Sequence, residues 1–297
     1  MNREQIELAS IDDFVSTYAT GKEDLEAYNR AQDLLNEGFS TRKIGPMVGR
    51  SRGTILAWKN DQKRRPYVVS GLEKALLSKL LPLYVANINF SAVNILAAKV
   101  FWTGSLSPSH YSQPQLEICG SLESLRDLQD YLQEKLDLKM ETYQNGKDSF
   151  SLKGGTSALF SRLLCAMGVP LSNNEYQMPE YVRKLIQSQP MYNPVVQRAL
   201  QDFVHVLFEE RFNVRPGKST YQLHLKCFKK EEEARGHGNE VTNLIRTALP
   251  ELPISGDRVK VYATGKESYM PKICLRATDM DSLSTHYPAL LNESSLR

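Results

Sequence analysis

Two parts of this chain repeat the same residue pattern in the same order. QLEI from Gln115 matches QLHL from Gln222 at an offset of 107 residues. Tyr143–Lys153 resembles Tyr262–Arg276 at an offset of 119 residues, and both copies read Tyr-x-x-Gly-Lys before alternating apolar and polar residues. Alternation of this kind predicts strands, so the repeat predicts that one unit is used twice. A further YATGKE at Tyr18–Glu23 continues into a helical pattern and is interpreted as chance.

The residues around these landmarks predict the same elements in both halves. The first half comprises a buried helix at Phe90–Trp102, a strand at Gln115–Cys119, a serine-capped helix at Ser121–Leu136, a hairpin at Asn145-Gly146 and a helix through Leu159–Met167. The second half comprises a helix at Pro194–Arg211, a strand at Ser219–Phe228, a charged helix within Lys229–Leu249, a hairpin at Thr264-Gly265 and a helix near Asp281–Leu291. The sequence predicts an α+β fold with two pseudo-symmetric αββαββα repeats.

Three short helices are predicted before the repeats. Gly38 is placed to end the first helix, Ser40 to begin the second, Gly49 to form the turn and Ser51 to cap the third. Pro46 falls inside the second helix and is expected to shorten or kink it.

Charge is divided unevenly along the chain. Residues 40–66 carry eight basic residues against one acidic residue, whereas residues 1–26 carry two against seven. A basic block of this density indicates a solvated face or a contact with a polyanion. The acidic segment is expected to be an arm that is disordered, contacts a protein partner or masks the basic helix.

The segment Gly49–Trp58 reads Gly-x-Ser-x-x-Thr-Ile-x-x-Trp and resembles the homeodomain-like helix-turn-helix of resolvases, transposases and many regulators. The resemblance implies that the third helix enters the major groove of DNA, with flanking basic residues on phosphates. The DNA-binding candidates here are Arg50, Ser51, Arg52, Thr54, Lys59, Lys63, Arg64 and Arg65. The alternative is a three-helix bundle that binds a protein or nothing.

The two repeats, with Gly168-Val169-Pro170 and Met178-Pro179 between them, resemble the LAGLIDADG homing endonuclease family over Leu76–Leu291. The resemblance implies two sheets along the major groove, and two metal-binding carboxylates where the first helices of the repeats end. Thr103 stands at the first of these positions, and Glu210 by the internal offset or Arg211 by the motif at the second, with Glu209 beside it. We expect Thr103, Glu209 and Glu210 to be vestigial and no metal to be bound, with Mg²⁺ required only if the nuclease is active.

The strand face that points away from the helices should be polar and basic if it contacts DNA. The outward residues of the second half fit this expectation, and the DNA-binding candidates are Thr220, Gln222, His224, Lys226, Arg258, Lys260, Lys272 and Arg276. The first half fits less well, because Glu117 and Glu141 stand beside Lys139 and Lys153.

The expected domains are an acidic arm at residues 1–24, a helix-turn-helix at 25–66 and repeats at 67–180 and 181–297. Four scattered cysteines without a C-x-x-C pattern, no secretory signal and no long apolar run predict a cytoplasmic protein with no membrane contact. The resemblance to two-repeat LAGLIDADG proteins implies a monomer, and DNA binding implies association with the nucleoid. We predict a site-specific double-stranded DNA-binding protein that has lost the nuclease activity and acts as a transcriptional regulator. WhiA-type regulators, which join similar domains in the opposite order, are a parallel. The alternatives are an active endonuclease, a sequence-independent DNA-bridging protein and an RNA splicing cofactor.

Overall fold

The computed structural model describes residues 6–60, 64–108, 114–147, 149–154, 158–171, 177–188, 193–214, 221–254, 256–265 and 267–291. Over these ranges the chain forms α-helices and antiparallel sheets, which confirms the predicted α+β class. None of the helices in the described ranges is long and apolar enough to cross a membrane.

The first described residues pack against the body of the protein. Strand β1 (Glu7–Ala9) pairs with β2 (Leu83–Tyr84), and α1 (Ile11–Ser16) begins at a serine cap. Leu8 and Phe14 are buried in the main hydrophobic core. The acidic composition predicted a separate arm at residues 1–24, but the described part of this segment is packed on the protein. The apolar residues between the acidic ones hold it there.

Three helices follow and share a small core of their own. They are α2 (Gly21–Asn36), α3 (Thr41–Met47) and α4 (Arg52–Asn60). Their buried side chains are Ala31, Leu34, Ile44, Ile55 and Trp58. Gly38 and Gly49 have φ of +87° and +64°, conformations that glycine adopts without strain, and each lies just beyond a helix end. The predicted helices are confirmed, and α3 ends one residue after Pro46.

Helix α5 (Tyr67–Leu77) connects the three-helix unit to the repeats. Val68 and Val69 of α5 form a small cluster with Val15 of α1, against which Leu25 and Tyr28 of α2 pack. The three-helix unit therefore lies against α1 and α5 through apolar contacts.

The first repeat has the predicted order of elements. It comprises α6 (Phe90–Thr103), β3 (Gly104–Pro108), β4 (Pro114–Gly120), α7 (Leu122–Leu136), β5 (Glu141–Gly146), β6 (Ser149–Lys153) and α8 (Ala158–Ala166). The strand order is β3-β4-β6-β5, and every described pair is antiparallel. We call this sheet the first sheet.

The second repeat follows α9 (Glu180–Gln187) and has the same order. It comprises α10 (Pro194–Arg211), β7 (Phe212–Val214), β8 (Tyr221–His224), α11 (Glu231–Ala248), β9 (Val259–Gly265), β10 (Ser268–Leu275) and α12 (Ala277–His286). The strand order β7-β8-β10-β9 matches that of the first sheet, so the predicted αββαββα duplication is confirmed. We call this sheet the second sheet.

One strand is shorter than predicted. The sequence pattern extends from Ser219 to Phe228, but β8 ends at His224. The Leu225 amide still donates to the Pro271 carbonyl oxygen at 3.1 Å. Proline has no amide hydrogen to donate in return, so the regular ladder stops there.

Helices α6 and α10 pack against each other at the centre of the molecule. Trp102 Nε1 donates to the Phe203 carbonyl oxygen at 3.2 Å, and Asn94 Nδ2 donates to the Ala199 carbonyl oxygen at 2.8 Å. Because each of these helices leads directly into the first strand of its sheet, β3 and β7 start near the same point. Helices α7 and α11 pack on one face of the sheets, which leaves the opposite face as the outer face.

Candidate nucleic-acid interface

Thr103 and Arg211 are the last residues of the two central helices. The Thr103 hydroxyl donates to the Lys99 carbonyl oxygen of its own helix at 2.9 Å. Arg211 Nε donates to the Trp102 carbonyl oxygen at 3.0 Å. The helix ends place Arg211 opposite Thr103, whereas the pairing of β3 and β7 with the next strands, taken with the offset of 107, places Glu209 there. The choice between Glu210 and Arg211 for the second acidic position stays a prediction.

Glu209 and Glu210 point toward a lysine of the other central helix. Lys99 Nζ lies 3.2 Å from Glu209 Oε2 and 2.5 Å from Glu210 Oε1, and only 10% of the lysine side chain is exposed. Burial by itself lowers the pKa of Lys99, but the two carboxylates outweigh it and raise that pKa above its usual value. Burial by itself raises the pKa of Glu209, but the hydrogen bond with His205 and the positive charge of Lys99 outweigh burial and lower that pKa overall.

These contacts do not suit a divalent metal ion. A hard cation needs carboxylate oxygens that converge on it, whereas Glu209 and Glu210 converge on an ammonium group. Both line a cleft of about 1280 Å³ on the helical side of the molecule, between α6, α7 and α10. Within the described residues, no group of three or more histidine, cysteine, aspartate or glutamate side chains is arranged to hold a metal.

A row of basic side chains crosses the outer face of the second sheet. Strand pairing places His224 directly opposite Lys272, and Lys272 directly opposite Lys260. Directly opposed residues of an antiparallel pair lie on the same face, so the three side chains stand side by side on β8, β10 and β9. We call these three residues the basic row. Lys272 Nζ also lies 4.9 Å from the centre of the Tyr262 ring.

A second row on the same face is polar and neutral. Asn213, Gln222 and Cys274 are opposed across β7, β8 and β10. Gln222 lies on the predicted face but is only 8% exposed. Its amide oxygen lies 3.2 Å from His224 Nε2. Asn213 is exposed and was absent from the predicted set, because the sequence alone does not reveal which residue of β7 faces Gln222.

The equivalent row of the first sheet is not basic. The offset of 107 equates Glu117 with His224, and the offset of 119 equates Lys153 with Lys272 and Glu141 with Lys260. The strand register places Glu117, Lys153 and Glu141 opposite one another across β4, β6 and β5. Lys153 Nζ forms an ion pair with Glu117 Oε1 at 3.1 Å. This row contains one cation between two anions, so the two sheets differ in charge at corresponding positions.

The candidates of the three-helix unit divide by what they contact. Ser51 Oγ accepts from the Thr54 amide at 3.0 Å and lies 2.9 Å from its hydroxyl, which confirms the predicted cap and occupies both side chains with local bonds. Arg52 and Lys59 are exposed on α4.

The arginines that flank α4 have polar partners. Arg50 Nη2 forms an ion pair with Asp24 Oδ1 at 2.6 Å. Arg65 Nη1 pairs with Glu73 Oε1 at 2.5 Å, while its Nε donates to Ser70 Oγ at 3.1 Å. Arg65 is thus committed to α5, which weakens its prediction as a phosphate contact. Arg64 is exposed.

Arg258 was predicted to point outward, and this is wrong. It lies in a 3₁₀ turn before β9, so the strand alternation begins only at the next residue. Its Nη1 lies 3.3 Å from Oδ2 of Asp279, whose side chain is fully buried. Arg276 is exposed beyond the end of β10 and lies 3.6 Å from Asp257. Lys226 lies two residues beyond β8 and is half-buried, while Lys63 and Thr220 lie outside the described residues.

Comparisons with known proteins give only distant structural similarities. No family model matches the sequence, and no curated protein matches it. The homing endonuclease I-DmoI in complex with DNA and Mn is similar at 12% identity over 70% of this chain and 99% of its own, with a TM-score of 0.39. The LAGLIDADG meganuclease I-CpaMI bound to uncleaved DNA is similar at 10% identity over 69% and 85%, with a TM-score of 0.38. Because the similarities are this distant, no residue of the chain takes a role from them.

Proposed function

We propose that this protein binds double-stranded DNA across the outer face of its second sheet, without cleaving it, and acts as a transcriptional regulator. The observation that carries the proposal is the opposition of Lys260 and Lys272 in neighbouring strands. Like charges directly opposite each other destabilise a sheet. A lysine on an edge strand such as β9 also discourages aggregation, but Lys272 lies on β10, between two strands. A polyanionic partner accounts for both lysines.

The dimensions of the basic row suit a DNA groove. Neighbouring strands lie about 4.8 Å apart, so three strands place cations over roughly 10 Å. The major groove is about 12 Å wide and lies between two lines of phosphates. Lys260 and Lys272 would contact phosphates, while His224 and the neutral row beside it would face base edges.

The three-helix unit supplies a second DNA contact. Arg52 and Lys59 are exposed on α4, whose N-terminal end carries the serine cap and follows Arg50. The unit packs on α1 and α5 through apolar side chains, so it is attached to the repeats by contacts as well as by the chain. Two modest DNA contacts on one chain raise the affinity for a site that satisfies both.

The absence of cleavage is supported by the ends of the central helices. Thr103 stands at the first position where the resemblance implies a metal-binding acid, and Glu210 or Arg211 at the second. Glu209 and Glu210 are paired with Lys99. A positive charge at this point repels a divalent cation. These features support binding without cleavage.

The proposal is tested by selecting genomic DNA fragments with the purified protein at near-physiological salt, followed by sequencing. A regulator enriches a few sites with a shared, extended motif. Enrichment without a motif would identify a sequence-independent binder instead. If no duplex fragment is enriched at all, DNA binding is refuted.

A charge-neutralising variant then tests the surface. The affinity of Lys260→Gln/Lys272→Gln for a selected duplex is measured at several salt concentrations. The slope of log affinity against log salt should be less steep by about 2, because each lost phosphate contact removes about 0.9 from its magnitude. Lys135→Gln, on α7 at the helical side, is the matched control and should keep the original slope. An unchanged slope in the double variant would place the DNA elsewhere on the protein.

A further inference from the structure

Two basic side chains of the second repeat meet the end of α6 in the first repeat. Arg211, at the end of α10, donates from Nε to the Trp102 carbonyl oxygen at 3.0 Å. Lys226, two residues beyond β8, places Nζ 3.5 Å from the Gly104 carbonyl oxygen. The same ammonium lies 5.9 Å from the centre of the Phe101 ring. The central helix of one repeat thus ends against two cations of the other.

A structural role explains part of this arrangement. The C-terminal end of a helix carries a partial negative charge, and a cation there is stabilising. A second, partly desolvated cation adds repulsion as well as attraction. Burial and the charge of Arg211 lower the pKa of Lys226 to about 8, so the lysine is held where its charge is disfavoured. Groups whose charge is disfavoured by their surroundings are common at binding sites.

Other charged and titratable groups face this lysine from the neighbouring strands. Cys119 of β4 slightly raises the pKa of Lys226, against the lowering by burial and by Arg211. Burial, followed by the charge of Glu117, raises the pKa of Cys119, so the thiol stays protonated near neutral pH. The Glu117 carboxylate that acts on Cys119 is paired with Lys153 at 3.1 Å.

The two cations are continuous with the polar outer face. Arg211 lies two residues before Asn213, which is on that face, and Lys226 lies two residues after His224 of the basic row. Neither residue lies within a strand, but Cys119, an exposed residue of β4, is close enough to influence the pKa of Lys226, so the ammonium lies beside the outer face of the first sheet. Both cations are half-buried, so part of each remains accessible to a ligand. They sit where β3 and β7 begin, at the junction between the two sheets.

We propose that Arg211 and Lys226 together bind one phosphodiester group of double-stranded DNA at the junction of the two sheets. This inference rests on the proposed DNA-binding function. A guanidinium group offers several donors in one plane, and an ammonium group offers a compact charge, so the two can hold adjacent oxygens of one phosphate without a metal ion. The phosphate also supplies the negative charge that relieves their mutual repulsion.

The test is fluorescence anisotropy with a labelled duplex selected by the protein, at several salt concentrations and at pH values from 6.5 to 9.5, in the presence of a chelator. Lys226→Gln should remove one phosphate contact. Between 50 and 200 mM salt the unmodified protein should therefore lose about three- to fourfold more affinity than Lys226→Gln does.

The pH series separates a phosphate contact from a merely structural role. The unmodified protein needs the charged ammonium to bind, so its affinity should fall as the pH rises above about 8, the pKa of Lys226 in the free protein. Lys226→Arg keeps its charge over the whole range and should bind with a flatter pH profile. Lys135→Gln controls for the general loss of a cation and should retain both the salt and the pH dependence of the unmodified protein.

The outcomes distinguish this inference from the proposed function. One outcome is that the unmodified protein binds duplex DNA while Lys226→Gln shows the same salt dependence as the unmodified protein and Lys226→Arg shows the same pH dependence. In that case the pair does not contact a phosphate, and only this inference fails. If the unmodified protein binds no duplex at any salt concentration, the proposed function fails and the inference fails with it.

Discussion

Replacing Lys99 by methionine should destabilise the protein by about 2–3 kcal/mol. Removing one partner of a fully buried ion pair costs about 3–5 kcal/mol, whereas an exposed pair contributes about 0–1 kcal/mol. The Lys99 network lies between these limits, because the side chains of Glu210 and Glu209 are 18% and 41% exposed. Without the lysine, two adjacent carboxylates remain, and among the described residues Glu209 keeps another partner, His205, at 2.9 Å.

Thermal unfolding followed by circular dichroism at pH 7 measures this effect. The melting temperature of Lys99→Met should fall by roughly 5–10 °C, since 1 kcal/mol corresponds to about 2–4 °C in a chain of this size class. Adding Glu209→Gln/Glu210→Gln to that variant should restore most of the loss, because the uncompensated charges are removed. A loss below about 0.5 kcal/mol, or a triple variant no more stable than Lys99→Met, would refute the reasoning.

The pH dependence of this network has a defined sign. The pKa of Glu209 is lowered in the folded protein, so its contribution to stability is present above its pKa in the unfolded chain and disappears as the pH falls through the folded value. The pKa of Lys99 is raised, so its contribution is lost only when the pH rises beyond the usual range of lysine. The difference in stability between Lys99→Met and the unmodified protein should therefore persist at neutral pH and shrink in acid.

Three further predictions follow from individual contacts. Arg258→Met should cost about 3–5 kcal/mol in urea unfolding, because the fully buried Asp279 loses its guanidinium partner while it keeps the hydrogen bond from the Arg276 amide. The exposed Arg276→Met should cost below about 1 kcal/mol. In α11, Gly236→Ala should raise the stability by up to about 1 kcal/mol, because alanine favours a helix and nothing lies within 4 Å of the added methyl group. Gly238→Ala should lower the stability, because its added methyl group would lie 2.5 Å from Val259. Duplex DNA incubated with the protein and Mg²⁺ should remain uncut on denaturing gels, and metal-dependent cleavage would instead establish the endonuclease alternative.

The contrast between the two sheets bears on the form of the DNA site. A duplicated fold with identical outer faces would suit a palindromic site. Here one row contains His224, Lys272 and Lys260, and its equivalent in the first sheet contains two glutamates around one lysine. The proposed function therefore implies an asymmetric site, with stronger contacts on the side of the second repeat.

The sequence alone determined the order of elements in this protein. Helix and strand periodicities are local properties of the chain, as are capping and turn residues, so the helix at Pro194–Arg211 and the hairpins at Asn145-Gly146 and Thr264-Gly265 were predictable. The duplication was visible because both copies retain the residues that these local structures require. The outward positions of Lys260 and Lys272 followed from the same alternation.

Tertiary structure decided which of those residues meet. The opposition of Lys272 with both His224 and Lys260 depends on strand register, and the pairing of Lys99 with Glu209 depends on how two helices cross. Arg258 is buried because the chain forms a turn where the pattern continued as a strand. These contacts join residues far apart in sequence, and their energies depend on packing and desolvation that no local pattern records.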